Sequence, residues 1–156
     1  FAVMGIHDTD PNTPNKNFAP DGWHVPSDAE WSTLEEHLIA NGYNYDDTTT
    51  DNKLAKAMAS TTGWNSSNST GVPGNNQSLN NSSGFNAFPE SYRADNGSLD
   101  NEGNNTAFWS SSQPQVGFTY SLVAHCRFLY YDGSNLSKDY DYAYKQNGAS
   151  VRFVRD

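Results

Sequence analysis

The chain is short of several things at once. It has a single cysteine, Cys126, in 156 residues. That excludes an internal disulfide and any zinc cage built from several thiolates. It is short of bases: 9 Lys and Arg stand against 18 Asp and Glu, for a net charge of -9. Proteins that track a phosphate backbone need a basic face, so nucleic acid is not an expected partner. No apolar run approaches the ~20 residues that cross a bilayer, so no membrane insertion by this domain is expected. Charged residues make up only 17% and hydrophobic ones only 35%. The mean hydropathy of -0.81 therefore comes from uncharged Asn, Ser, Thr and Gly.

What the chain does have is rings. It carries 4 Trp, 9 Tyr and 8 Phe. Large rings supply a core that aliphatic residues here cannot, and disordered chains usually lack them. The length suits one domain over residues 1–156. The four histidines, His7, His24, His37 and His125, show no metal-ligand spacing. Phe1-Ala2-Val3-Met4 has the character of a strand interior, which points to a leader or domain upstream of it.

Two helices are expected in the first 60 residues. Ser27-Asp28-Ala29-Glu30 is a capping box, in which the Ser27 hydroxyl accepts an amide proton and Glu30 reaches back. Trp31, Leu34 and Leu38 follow at helical spacing, and Asn41-Gly42 supplies a left-handed stop. A second helix is expected over about Asp51 to Ala59, with Leu54, Ala57 and Met58 facing inward. Residues 60–105 are rich in Ser, Asn and Gly. Islands at Trp64, Leu79 and Phe85 to Arg93 should pin so long a loop to the core. Strands return at Ala107–Ser112, Ala124–Tyr131 and Ala149–Val154. In the second of these, Arg127 and Leu129 share one face while Cys126, Phe128 and Tyr130 share the other. Strand character at both termini suggests that the two ends pair. Trp23, Trp31, Trp64 and Trp109 are expected as core or loop anchors, with Arg93, Arg127 and Arg152 pairing acids or capping carbonyls.

Five ordered motifs now carry a resemblance. They are Gly22-Trp23-His24-Val25-Pro26-Ser27-Asp28-Ala29-Glu30-Trp31; Thr62-Gly63-Trp64; Gly84-Phe85-Asn86-Ala87-Phe88-Pro89 with Tyr92-Arg93; Phe108-Trp109-Ser110-Ser111-Ser112; and Gly148 through Asp156. Together they resemble the Fibrobacter succinogenes major paralogous domain over essentially the whole chain. The Trp-Ser-Ser strand and the Ser-Val-Arg ending also resemble variable proteins of diversity-generating retroelements. The resemblance implies an α+β, C-type-lectin-like fold in the version shared with the formylglycine-generating enzyme. That fold has two helices, small mixed antiparallel sheets, a long looped insertion and paired termini. It further implies a variable, ligand-binding segment at about residues 116–149, displayed on a fixed scaffold.

In such proteins mutagenesis acts at adenines and cannot produce Trp, Met, Lys, Glu or Gln. Between Val116 and Tyr144, Lys138 alone belongs to those types. The same window holds eight aromatics interleaved with Ser, Asp, Gly and Asn. That is the chemistry of a paratope, with rigid amphipathic rings beside adaptable polar groups. Asp139 to Tyr144 alternates, so a strand there would put Tyr140, Tyr142 and Tyr144 on one face. The candidate contact residues are Phe118, Tyr120, His125, Cys126, Phe128, Tyr130, Asp132, Ser134, Ser137, Tyr140, Asp141, Tyr142 and Tyr144.

His125 and Cys126 are adjacent on a strand and point apart, which makes a poor catalytic dyad. Formylglycine-generating enzymes depend on a cysteine pair, and one cysteine cannot supply it. No enzyme activity is expected, and no cofactor. Gln113-Pro114-Gln115 lacks the carboxylate of a sugar-bridging calcium loop. Asp95, Asp100 and Glu102 offer oxygens for a structural Ca²⁺, but their spacing matches no EF-hand, and a solvated acidic loop accounts for them better. The expected function is non-enzymatic binding of a protein or other cell-surface ligand, in adhesion or receptor binding. The expected setting is a cell surface, a secreted protein or a virion. The alternative is a bacterial surface module without programmed diversity, binding carbohydrate or acting as a spacer.

Overall fold

The computed structural model describes residues 18–112, 123–139 and 144–156. Helix α1 spans Asp28–Ala40. Ser27 caps it: its hydroxyl accepts from the Glu30 amide at 3.3 Å, and the Ser27 amide donates to Glu30 Oε2 at 2.8 Å. Both halves of the expected box are present. The helix ends at Asn41, and Gly42 follows with φ at +75°, a conformation that costs glycine little. Trp31 and Leu38 are buried, and Leu34 packs beside them.

Helix α2 is a single turn, Ala55–Met58, shorter than expected. Asp51 sits at a φ of +61°, which a helix cannot accommodate, and the Asn52 side chain is turned to the backbone of Leu136 in a distant loop. Leu54, Ala57 and Met58 are buried as the pattern required.

Among the described residues, seven short strands form three sheets. Strand β1, Trp23–His24, pairs antiparallel with β7, Val154–Arg155. Strand β2, Tyr92–Arg93, pairs with β3, Leu99–Asp100. The main sheet joins β4, Asn105–Trp109, to β5, Cys126–Tyr130, and β5 to β6, Ser137–Asp139, all antiparallel. The far edge of β4 is closed by the C-terminal segment, where Ser150 exchanges hydrogen bonds with Ala107 and Trp109. The chain is thus α+β, with two helices and small antiparallel sheets among its described residues. The expected strand Ala149–Val154 is divided: Ser150 bridges β4, and only Val154 onward pairs with β1. The expected strand at residues 1–4 lies outside the described residues.

Both faces of the main sheet are covered. One face gives Phe108, Leu129 and the Arg127 side chain to α1, with Trp31, Leu54 and Leu136 in the same cluster. Trp31, Phe85 and Phe108 pack ring against ring at 5.4–6.0 Å, the Phe85–Phe108 pair edge to face. The other face puts Ala107, Trp109, Cys126 and Phe128 beneath Tyr92, Ala149 and Val151. Trp31, Trp64 and Trp109 are interior, but Trp23 is 45% exposed because a two-strand pair at the surface covers only one side of it.

Side-chain amides explain much of the asparagine content. Asn44, 2% exposed, lies within hydrogen-bonding distance of the Thr48, Thr50 and Asp51 carbonyls and accepts from the Lys53 amide. Asn80 donates to the Ser60 and Pro73 carbonyls, and the Trp64 indole donates to Ser60 Oγ. Each satisfies loop backbone that no strand reaches. The looped insertion is therefore pinned by amides as well as rings, and Leu79, expected as an anchor, is 65% exposed.

Candidate functional site

Eight of the thirteen candidate contact residues can be placed. Phe118, Tyr120, Tyr140, Asp141 and Tyr142 lie outside the described residues. Two of the eight are interior. Cys126 is 1% exposed and Phe128 5%. The alternation along β5 is as expected, but the face that carries them is roofed by Tyr92, Ala149 and Val151. Neither side chain is available to a partner in this conformation, and both belong to the scaffold. Tyr130, at the end of β5, is half-buried and stacks on Phe128, with centroids 6.0 Å apart.

His125 is also drawn inward. Its Nδ1 lies 3.2 Å from Asp28 Oδ1. The same carboxylate pairs with Arg127 Nη1 at 2.7 Å and Lys138 Nζ at 2.6 Å. Arg127 is fully buried. Burial opposes ionisation of Asp28, but hydrogen bonds from Lys138 and Arg127, and their charges, outweigh it and hold its pKa down at about 2. Asp28 sits in the first turn of α1, where the helix dipole also favours a negative charge. The cluster ties the start of α1 to β5 and β6. The Arg127 role in pairing an acid was legible in the sequence, but its partner was not, because the two residues are far apart along the chain.

Asp132, Ser134, Ser137 and Tyr144 do reach the surface. Asp132 is exposed, Ser134 and Ser137 are half-exposed, and Tyr144 is 48% exposed. The first three lie on or beside a loop whose backbone is fixed on all sides. Tyr131 donates its amide to the Asn104 carbonyl and its own carbonyl accepts from Gly74, both at 2.8 Å. The Ser134 carbonyl accepts from the Ala55 amide at 3.0 Å. Leu136 is clasped at both ends by one side chain: its amide donates to Asn52 Oδ1 at 2.9 Å and its carbonyl accepts from Asn52 Nδ2 at 2.8 Å. Leu136 itself is core, at 2% exposed. Among the described residues no hydrogen bond uses the side chain of Asp132, Ser134 or Ser137. Asn52 was missed by the sequence reasoning. Nothing in the local pattern marks it, since its target lies 84 residues away.

A second clasp joins the ends of the described fold. His24 Nδ1 is 2.7 Å from Asp156 Oδ1, and its Nε2 is 2.7 Å from Glu30 Oε1. Hydrogen bonds to Asp156 and Glu30 raise the His24 pKa above its ordinary value. Among the described residues, no three His, Cys, Asp or Glu side chains gather closely enough to hold a metal ion. No described helix is long and apolar enough to cross a membrane.

The fold and this site define an α+β module in which polar side chains ride on a backbone secured by main-chain and amide hydrogen bonds. Residues 4–155 match the family model described as the Fibrobacter succinogenes major domain, and the chain belongs to that family. No curated protein and no solved structure matches the chain.

Proposed function

We propose that the protein is a non-enzymatic ligand-binding module. Its contact surface is the C-terminal third, built around Asp132, Ser134, Ser137 and Tyr144 and continued by Phe118, Tyr120, Tyr140, Asp141 and Tyr142. The observation that carries this reading is the separation of duties in the Tyr131–Ser137 loop. Its course is set by backbone groups, Asn52 and Leu136, while its outward side chains bond to nothing within the described residues. Such positions accept substitution at little cost to the fold. That is what a diversified recognition surface requires, and it supports a variable protein of a diversity-generating retroelement with a C-type-lectin-like scaffold. Tyr rings would supply buried contact area and the aspartates would favour basic or hydroxyl-rich partners. The partner is a protein or other cell-surface ligand. The module acts at a cell surface, in secreted form or on a virion, without a cofactor.

Two tests apply. The first is genomic: a near-copy of the 3′ coding sequence, differing mainly at adenines, should lie beside a reverse transcriptase gene. A unique 3′ sequence with no such gene would defeat the diversification reading. The second is binding to cells or to a glycan array, comparing the native chain with a variant carrying Tyr140→Ala, Tyr142→Ala and Tyr144→Ala. Binding should fall by more than ~2 kcal/mol with the fold retained. Unchanged binding would place the surface elsewhere. Glycan binding by an undiversified chain would favour the carbohydrate-module alternative.

A further inference from the structure

We propose that the groove between α1 and the C-terminal segment binds a small carboxylic acid with an apolar tail. A cavity of about 320 Å³ opens there, walled by Trp31, Leu34, Phe85, Phe153 and Val154, with Arg152 at its edge. The volume falls in the range that small-molecule sites occupy. It shares no residue with the contact positions named above, Phe118 to Tyr144, and stands independently of them.

The head of the site is Arg152. Its Nη2 donates to the Phe85 carbonyl at 2.9 Å and to the Asn86 carbonyl at 3.2 Å. Its guanidinium lies 4.8 Å from the centre of the Phe85 ring and 5.8 Å from that of Phe108. Two carbonyls and two rings therefore fix the charge in place. Yet among the described residues it forms no ion pair, in a chain with twice as many acids as bases. Its Nε and Nη1 make no hydrogen bond there either, and the residue is exposed. A guanidinium held through Nη2 keeps its full charge, with Nε–H and Nη1–H left as single charge-assisted donors for a carboxylate.

The other charge beside the cavity is already committed. Glu30 Oε2 accepts from the Ser27 amide and hydroxyl, and Oε1 meets His24. The walls are apolar, and two of them, Phe153 and Val154, are left 38% and 36% exposed. An inorganic anion would use Arg152 but waste the apolar wall. An acid with a hydrocarbon tail uses both.

The test is a titration of the ¹⁵N-labelled chain with 4-phenylbutyrate and, in parallel, with its uncharged analogue 4-phenylbutyramide. The indole N–H signal of Trp31 reports the groove. The acid should shift that signal saturably with Kd below about 1 mM, and the amide should bind at least about tenfold more weakly. Arg152→Gln should abolish the difference, whereas Arg152→Lys should keep part of it. Dispersion of the other indole signals shows that each variant is folded. Should either variant unfold, the acid and amide pair on the native chain still decides. Equal binding of the two, or no shift at about 10 mM acid, would overturn the proposal.

Discussion

Removal of the Asp28 carboxylate should be among the most damaging single changes in the chain. Arg127 is fully buried, and Asp28 stands 2.7 Å away as its counter-ion. Breaking such a pair from one side leaves an uncompensated buried charge, which costs roughly 3–5 kcal/mol. The lower end applies here, because the Asp28 side chain is 21% exposed and the Glu35 carboxylate acts on Arg127 from nearby. Asp28→Ala should therefore cost about 3 kcal/mol. Arg127→Met should cost less, since Asp28 keeps Lys138 at 2.6 Å and a long apolar side chain fills the space. The double variant should be no less stable than Asp28→Ala alone. Urea unfolding followed by tryptophan fluorescence measures all three. The acid limb provides a second arm. The folded-state pKa of Asp28, about 2, lies below the ordinary 3.8. Its contribution is thus complete above about pH 4 and fades as pH falls toward 2. Solvent at its exposed edge limits that contribution to no more than ~2 kcal/mol. Additive losses in the double variant, or a loss below ~1 kcal/mol for Asp28→Ala, would refute the argument.

Three other outcomes follow from the same geometry. Asn52→Ala should cost about 2 kcal/mol by thermal or urea unfolding, because it strands both backbone groups of buried Leu136. Gly74→Ala should destabilise by about 1–3 kcal/mol, since a Cβ there would press on the Asn65 carbonyl and come 2.9 Å from the Tyr131 carbonyl. The His24 clasp should weaken with rising pH: a raised folded pKa means full contribution below pH 6.5 and loss as pH climbs through the folded value. Hydrogen exchange at the Asp156 amide, bonded to the Gly22 carbonyl, should speed up across that range beyond the intrinsic base-catalysed trend, and His24→Ala should remove the extra rise.

Local signals in the sequence were dependable. The capping box, the Asn41-Gly42 stop and the Trp31–Leu34–Leu38 stripe each depend on neighbours within a turn or two, and each formed as expected. The alternation on β5 also held. What was not legible was partnership across the chain. Whether the Cys126 and Phe128 face stays open depends on Ser150 docking against β4 and bringing Ala149 and Val151 over it. The Asn52–Leu136 and Asp28–Arg127 contacts span 84 and 99 residues. An asparagine that anchors a remote loop looks, in sequence, like any of its many neighbours. The sequence therefore marks a candidate segment, while the division between its outward and inward residues required the fold.

The central claim is that the C-terminal loop is held by its backbone and shows replaceable side chains outward. Simultaneous randomisation of Asp132, Ser134, Ser137 and Tyr144, displayed on yeast and scored for folding, tests it most directly. Most members should fold with stabilities within ~0.5 kcal/mol per substituted position, whereas Leu136→Ala in the same format should lose about 2–4 kcal/mol. A library that loses folding as often as one randomised at Leu136, Arg127 and Asn52 would contradict the account.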